Sequence, residues 1–367
     1  MRVAFRADAS IEIGTGHVMR CLTLARALRE AGASCQFITR DLPGHMGARI
    51  TAEGFDLTLL PAPQGPAPEG PPLHAAWAGV DWTQDSTETR AALATSPNWL
   101  VMDHYAFDTR WQNAACPKDT RLMVIDDLAD RKHRCDLLLD QNLGRTDTDY
   151  DGLIPEDCTR LTGPRYALLR PEFAQRRAQA LAARAHRGLQ NLMISMGGID
   201  AVDATSTILT ALRAAPLPPD LTISVIMGRN APALESVRAL AQDMPFRTEI
   251  AIDVNDMAAR MATADLAIGA AGATTWERCC LGLPSLIIET AANQSGIASA
   301  MAAAGAGLAP APLNAPDFAQ SLAATIAQAA NPERLATMSN AAADICDGTG
   351  LNKAAGQLFQ TSAKHRR

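Results

Sequence analysis

The sequence predicts an α/β fold of two doubly wound, Rossmann-like domains facing a cleft, and three observations predict it. Short apolar runs alternate with longer helical patterns from one end of the chain to the other, which is the βαβ signature of a parallel sheet. At 367 residues the chain exceeds the size at which a single hydrophobic core keeps growing, so two domains of roughly 150 to 200 residues are the default. The alternation also starts afresh near the middle, after a segment that breaks it.

In the first half, strands are expected at Met1 to Phe5, Ser34 to Thr39, Leu57 to Leu60, Trp99 to Met102, Leu122 to Ile125 and Leu137 to Leu139. Each is an apolar run that gives way to polar or glycine-rich residues. A helix is expected from Gly16 to Ala31, with an apolar stripe of Val18, Leu22, Ala25 and Leu28. The proline- and glycine-rich segment Pro61 to Pro72 continues neither helix nor central strand and reads as a surface excursion. From Leu161 to Phe173 two prolines interrupt the pattern, and the basic, Ala-rich stretch Ala174 to Arg187 leads into a new strand. The junction is therefore expected near residue 163, with domains at 1–163 and 164–360 and a tail at 361–367. Strands of the second half are expected at Asn191 to Met196, Leu221 to Met227, Arg247 to Ile252, Leu266 to Gly269 and Ser285 to Ile288, and a last helix at Lys353 to Phe359. Sheets of this kind bind ligands beyond the carboxyl ends of their strands.

Composition excludes several functions. The 33 Lys and Arg residues against 39 Asp and Glu leave a net charge of −6. The basic residues form no stripe apart from the last four, so a nucleic-acid partner is not expected. No run approaches the roughly 18 to 20 apolar residues of a membrane span, and Arg6 and Asp8 stand where the core of a secretory leader would run. A cytoplasmic protein without a membrane partner is expected, and a monomer, since two domains of this size can close their own cleft. The eight cysteines include no CxxC pair and lie mostly in apolar runs, which suits reduced, buried thiols. His104 and His133 lack metal-ligand spacing and read as structural or exposed. No metal site and no cofactor are predicted.

Three strand-to-turn junctions carry candidate chemistry. Gly14-Thr15-Gly16-His17 follows the first strand and opens the first helix. Its small residues permit a tight turn with free N–H groups, and an imidazole, with an ordinary pKa of about 6.5, takes up a proton near neutrality. His17 is thus a candidate general base; a purely structural histidine would use the same four residues. Arg20, one turn on, is a candidate anion binder, and a solvated surface arginine is the plainer alternative. Gly269 to Glu277 runs from a strand end through small residues into a helix, offering amides and the hydroxyls of Thr274 and Thr275 to a diphosphate. Glu277 suits ribose hydroxyls, or is simply an acid favoured in the first turn. Ser195 to Gly198 and Met227 to Asn230 are two further turns after strands, the second suited to a nucleobase edge. Asn293 and Gln294 follow a strand and are placed at the cleft mouth, and Tyr105 follows a strand of the first domain.

These residues sit in FRADASIEIGTGHVMRCLTLARAL, VMDHYAFD, IDDLADRKHRCDLLLDQN, GPRYALLRPEF and GAAGATTWERCCLGLPSLIIETAANQ. Together the segments resemble the UDP-sugar hydrolases of pseudaminic acid biosynthesis, which act on UDP-2,4-diacetamido-2,4,6-trideoxy-β-L-altropyranose. The resemblance runs from Arg2 to about Phe359. It implies a glycosyltransferase-B (GT-B) type of fold and release of UDP to water, with inversion and without metal or cofactor. It implies His17 as the catalytic histidine, with Tyr105, Arg170 and Asn293 in matching motifs on the substrate side; Gly16 and Arg20 join that side as candidates from their place at the helix start. It implies UDP contacts in the second domain, matching best at Gly272, Ala273, Thr274 and Glu277; Gly198 and Met227 join them as candidates from their place in turns after strands. The chain departs from the family pattern in the excursion Pro61 to Pro72 and in Lys353, where the family commonly has arginine. The chief alternative is a transferase of the same fold, with a sugar hydroxyl in place of water; fold alone does not separate the two.

Overall fold

The computed structural model describes residues 1–93, 95–185, 187–290 and 294–364. The chain divides into two compact units, Met1–Leu168 with Thr349–Arg367, and Leu169–Gly348.

The first unit opens with β1 (Arg2–Ala7), α1 (Gly16–Glu30), β2 (Ser34–Arg40), α2 (Gly47–Ala52) and β3 (Asp56–Leu60). It continues with α3 (Trp82–Ala92), β4 (Trp99–Asp103), α4 (Thr109–Ala115), β5 (Arg121–Ile125), β6 (Leu137–Asp140) and β7 (Thr159–Thr162). All seven strands are parallel, in the order β3-β2-β1-β4-β5-β6-β7. Because both faces are covered, the central strands carry apolar residues on both. Phe5, Trp99 and Val101 enter a core with Leu22 and Leu28 of α1, while Ala4, Leu100 and Met102 face one that holds Trp111 of α4. Helix α1 stops at Gly32, whose φ of 85° lets the Ala33 N–H reach the Leu28 carbonyl at 2.9 Å.

The second unit runs α5 (Pro171–Arg184), β8 (Asn191–Ser195), α6 (Ala204–Arg213), β9 (Thr222–Met227), α7 (Leu234–Gln242) and β10 (Arg247–Ile252). It then adds α8 (Met257–Thr263), β11 (Leu266–Ala270), α9 (Thr274–Cys280), β12 (Ser285–Ile288), α10 (Ser295–Ala303) and β13 (Gly307–Leu308). Helices α11 (Phe318–Ala329) and α12 (Pro332–Ile345) complete it. Its six strands are also parallel, in the order β10-β9-β8-β11-β12-β13. Both strand orders reverse direction beside the first strand of the unit, so each sheet has a switch point there.

The structure corrects the predicted boundaries. The junction falls after Leu168 rather than near 163, because β7 and the turn that follows it belong to the first sheet. The final helix α13 (Gly350–Lys364) returns to the first unit instead of ending the second. Its Leu351, Ala354, Ala355 and Leu358 join the core of α1, and the Leu358 carbonyl accepts the Trp99 indole N–H at 3.0 Å. Residues 361–364 extend this helix, so no separate tail begins at 361. All eight cysteines are buried free thiols. Among the described residues no helix is long and apolar enough to cross a membrane.

Candidate active site

In a parallel sheet the carboxyl ends of all strands share one edge, and in the first unit that edge gathers the candidate base. Residues Ser10 to Gly14 close a tight turn: the Ser10 carbonyl accepts the Gly14 N–H at 2.8 Å and its hydroxyl accepts the Ile13 N–H at 2.9 Å. Gly14 adopts a φ of 78°, a conformation that a side chain would strain. The turn delivers His17 as the second residue of α1, alongside the end of β4. There the His17 Nδ1 lies 2.6 Å from Asp103 Oδ1.

Burial alone would raise the Asp103 carboxyl, but the Arg20 guanidinium and His17 outweigh it and hold the group well below the usual carboxylate range. An ionised carboxylate only accepts, so Nδ1 carries a hydrogen; in the neutral form of the ring the lone pair then sits on Nε2. Among the described residues no partner engages Nε2, and the ring retains 8% of its exposure.

Arg20 is 7% exposed, and its donors are met from within the unit. Nε donates to Asp103 Oδ2 at 2.5 Å, Nη2 to Asp103 Oδ1 at 2.7 Å and Nη1 to Asp127 Oδ2 at 2.6 Å. Its charge is thus already matched by two carboxylates. The Tyr105 hydroxyl donates to the same Asp127 oxygen at 2.8 Å, and its ring stands edge-on to His17 with centroids 4.7 Å apart. Tyr105, Arg20 and His17 are therefore neighbours. His104 is buried beside Asp8, and His133 is buried and pairs with Gln112 at 2.7 Å, so neither is exposed.

Behind this edge the unit buries further charge. Arg6 bridges Asp8 and Asp85, each at 2.6 Å, and Arg40 also reaches Asp85 at 2.6 Å, all four side chains being fully enclosed. The Tyr150 hydroxyl lies 3.0 Å from Asp126 and 2.8 Å from Asp140. Burial and the charge of Asp127 push the Asp140 carboxyl up to about 7. Burial pushes the His133 imidazole down to about 4.

The second unit presents backbone instead. The Gly228 N–H donates to the Gly198 carbonyl at 3.1 Å, and a Cβ on Gly228 would collide with that oxygen, so the turns after β8 and β9 are in van der Waals contact. Gly197 holds a φ of 97° within the first turn. Met227 is placed with its side chain in the core and its carbonyl accepting the Asp253 N–H at 3.0 Å. After β11, Gly272, Ala273 and Thr274 remain partly exposed, and no side chain caps the start of α9. Open space surrounds the Cβ position of Gly272. Arg278 is 1% exposed and donates to Thr275 Oγ1 at 3.1 Å and to the Ala270 carbonyl at 3.0 Å, which fixes the loop from beneath. Burial raises the Glu277 carboxyl, against the pull of Arg170, whose Nη2 lies 3.5 Å away. Arg170 also meets Glu172 at 2.9 Å. Asn293 lies outside the described residues.

Sequence reasoning did not assign roles to Asp103, Asp127, Trp77 or His74. Aspartates at or just beyond the ends of two strands, in a sheet whose first helix starts with a histidine, were the available signal for the first two. Among the described residues no group of three or more His, Cys, Asp or Glu side chains is arranged to hold a metal ion.

No family model matches the chain. It is 25% identical over 245 residues to the UDP-2,4-diacetamido-2,4,6-trideoxy-β-L-altropyranose hydrolase of Campylobacter jejuni, covering 66% of this chain and 75% of that protein. It is 31% identical over 146 residues to the spore coat polysaccharide biosynthesis protein SpsG of Bacillus subtilis, covering 40% of this chain and 42% of that one. The resemblance read from the sequence is borne out. Among solved structures, Acinetobacter baumannii MurG matches with a TM-score of 0.69 at 18% identity, over 98% of this chain and 99% of its own. The spinosyn rhamnosyltransferase SpnG, complexed with thymidine diphosphate, matches with a TM-score of 0.61 at 18% identity, over 96% and 99%. These likenesses show the fold, which is of the GT-B type.

Proposed function

We propose that the chain is a nucleotide-sugar hydrolase that releases UDP by attack of water on the anomeric carbon, with inversion. The observation that carries the reading is the His17–Asp103 pair, with Nδ1 held at 2.6 Å and Nε2 without a partner among the described residues. Nε2 takes a proton from water as the water oxygen bonds to the anomeric carbon and the bond from that carbon to the phosphate oxygen breaks. Asp103 keeps the productive tautomer and balances the imidazolium that forms, and Arg20 fixes both carboxylate oxygens. UDP leaves as a stable anion, so its departure calls for charge stabilisation more than for a proton. The exposed amides of Gly272 to Thr274 are assigned to that task. The similarity to the Campylobacter jejuni hydrolase supports UDP-2,4-diacetamido-2,4,6-trideoxy-β-L-altropyranose as the substrate.

The test is proton and phosphorus NMR of the purified protein with that nucleotide sugar. Free UDP together with a first-formed sugar of inverted anomeric configuration is expected. Release of UDP only after a sugar or lipid acceptor is added would replace hydrolysis by transfer, and unchanged substrate would end both readings.

A further inference from the structure

We propose that Trp77, backed by His74, forms a ring wall on which the sugar stacks beside His17, and that this wall selects sugars bearing acetamido and deoxy groups. The inference rests on the reading of the chain as acting on a nucleotide sugar.

Four rings meet at this point of the first unit. Trp77 stacks on Tyr105 with centroids 5.4 Å apart and planes 23° from parallel, and meets His17 at 6.4 Å. His74 packs against Trp77 at 4.6 Å and against Tyr105 at 5.5 Å. His17 and Tyr105 are buried, whereas Trp77 and His74 are half-buried, so the open ring surface at this place belongs to the latter two. Burial lowers the His74 imidazole below its ordinary value, which keeps that ring neutral at pH 7.

The excursion from Pro61 to Pro72 holds this wall in position. Arg110 donates to the Pro71 carbonyl at 2.8 Å, and the Pro72 carbonyl accepts the Ala75 N–H at 2.8 Å. The short 3-10 turn Ala75–Ala78 ends in Gly79, at a φ of 71°, against which Pro63 packs too closely to admit a side chain. The prolines thus carry the chain out from β3 and back, and the return presents Leu73 to Trp77 toward the edge that bears His17.

Chemistry favours a sugar with apolar substituents. Most polar groups around His17 are spent on one another: Asp103 on Arg20, and Asp127 Oδ2 on both Arg20 and Tyr105, while Asp127 Oδ1 stays buried without a partner. Beside His17 Nε2 and the buried Asp127 Oδ1, the open surface here is aromatic, and a pyranose C–H face, an acetamido methyl or a 6-deoxy methyl is suited to it.

The test uses His17→Gln protein, which is expected to bind without turnover. Titration calorimetry gives the ratio of its affinities for UDP-2,4-diacetamido-2,4,6-trideoxy-β-L-altropyranose and for UDP alone. Adding Trp77→Ala is expected to lower that ratio about tenfold to a hundredfold, with UDP affinity unchanged. Trp77→Phe should restore most of it, and His74→Ala should give a smaller loss that remains readable if Trp77→Ala does not fold. An unchanged ratio in Trp77→Ala or, where that variant does not fold, in His74→Ala overturns the proposal. A parallel loss of UDP affinity, or a ratio near one in the parent, overturns it as well. Turnover by the unaltered protein is measured separately; its absence refutes hydrolysis, whereas the affinity ratio still decides on the wall.

Discussion

The two sheets share a topology and differ in what they place at their carboxyl edges. In the first unit that edge is built from side chains: Asp8, Asp103, Asp126, Asp127 and Asp140 follow or end successive strands, and arginines and histidines pack among them. In the second it is built from small residues, Gly197, Gly198, Gly228 and Gly272, where one backbone approaches another or stays open. Under the proposed function, the contrast is a division of labour within one architecture. A proton must be moved by a titratable group held at a fixed angle, which calls for a buried network of partners. A diphosphate is met by amides, and any Cβ in their path obstructs it.

The contrast is most easily broken at His17. Replacing it by Ala is expected to reduce UDP release on the order of 10² to 10⁴-fold. UDP affinity, measured by calorimetry, should stay within about twofold, because that function is assigned to the other unit. Asp103→Asn is the next largest. It disturbs the tautomer and leaves the buried Arg20 short of its counter-charge, so both kcat and thermal stability should fall, the latter by about 3 kcal/mol. Two glycines sharpen the other side. Gly228→Ala forces apart two turns in contact and is expected to cost about 1 to 3 kcal/mol in denaturant unfolding. Gly272→Ala meets open space, so stability should hold while UDP affinity drops several-fold.

The smallest effects concern pH and fall in the first unit. Asp140, pushed up to about 7 by burial and Asp127, binds its proton more tightly in the folded chain. It therefore favours the fold fully below the ordinary carboxylate value of about 4, and that contribution is lost as pH rises toward 7. His133, pushed down to about 4 by burial, acts in the opposite sense. Its contribution is complete above about 6.5 and is lost as pH falls toward 4. Thermal unfolding between pH 4 and 7 should therefore separate two variants: Asp140→Asn removes the loss toward neutrality, and His133→Gln removes the loss toward acid.

Most strands were legible because central parallel strands buried on both faces are short apolar runs with polar ends, and Ser285–Ile288 matches the expectation to the residue; the edge strand Arg247–Ile252, partly exposed and carrying Arg247, Thr248 and Glu249, matches as well. Strand Thr159–Thr162 was missed because TRLT has no apolar run, its place being set by pairing with Leu137–Asp140. The return of α13 was illegible for a different reason: an apolar stripe says that a helix covers a sheet, not which sheet. His17 was visible because its glycine turn is local in sequence. Asp103 and Asp127 are 86 and 107 residues from the partners they meet, His17 and Arg20, and only the strand order brings them there. The excursion Pro61 to Pro72 was read correctly as neither helix nor strand, yet composition carried no hint that it returns rings to His17.

The path of α13 also sets an order of assembly. The second unit is one uninterrupted stretch, Leu169–Gly348, and has all its strands and helices once Gly348 has left the ribosome. The first unit, although it begins the chain, lacks the helix that covers Trp99 and Leu22 until Gly350–Lys364 has been made. Translation therefore supplies the parts out of register with their numbering, and the half bearing the proposed base is finished last. A nascent chain halted before Gly350 would carry a second unit with every element present and a first unit with an open apolar face, so no base would be set in place ahead of the unit assigned to hold the nucleotide.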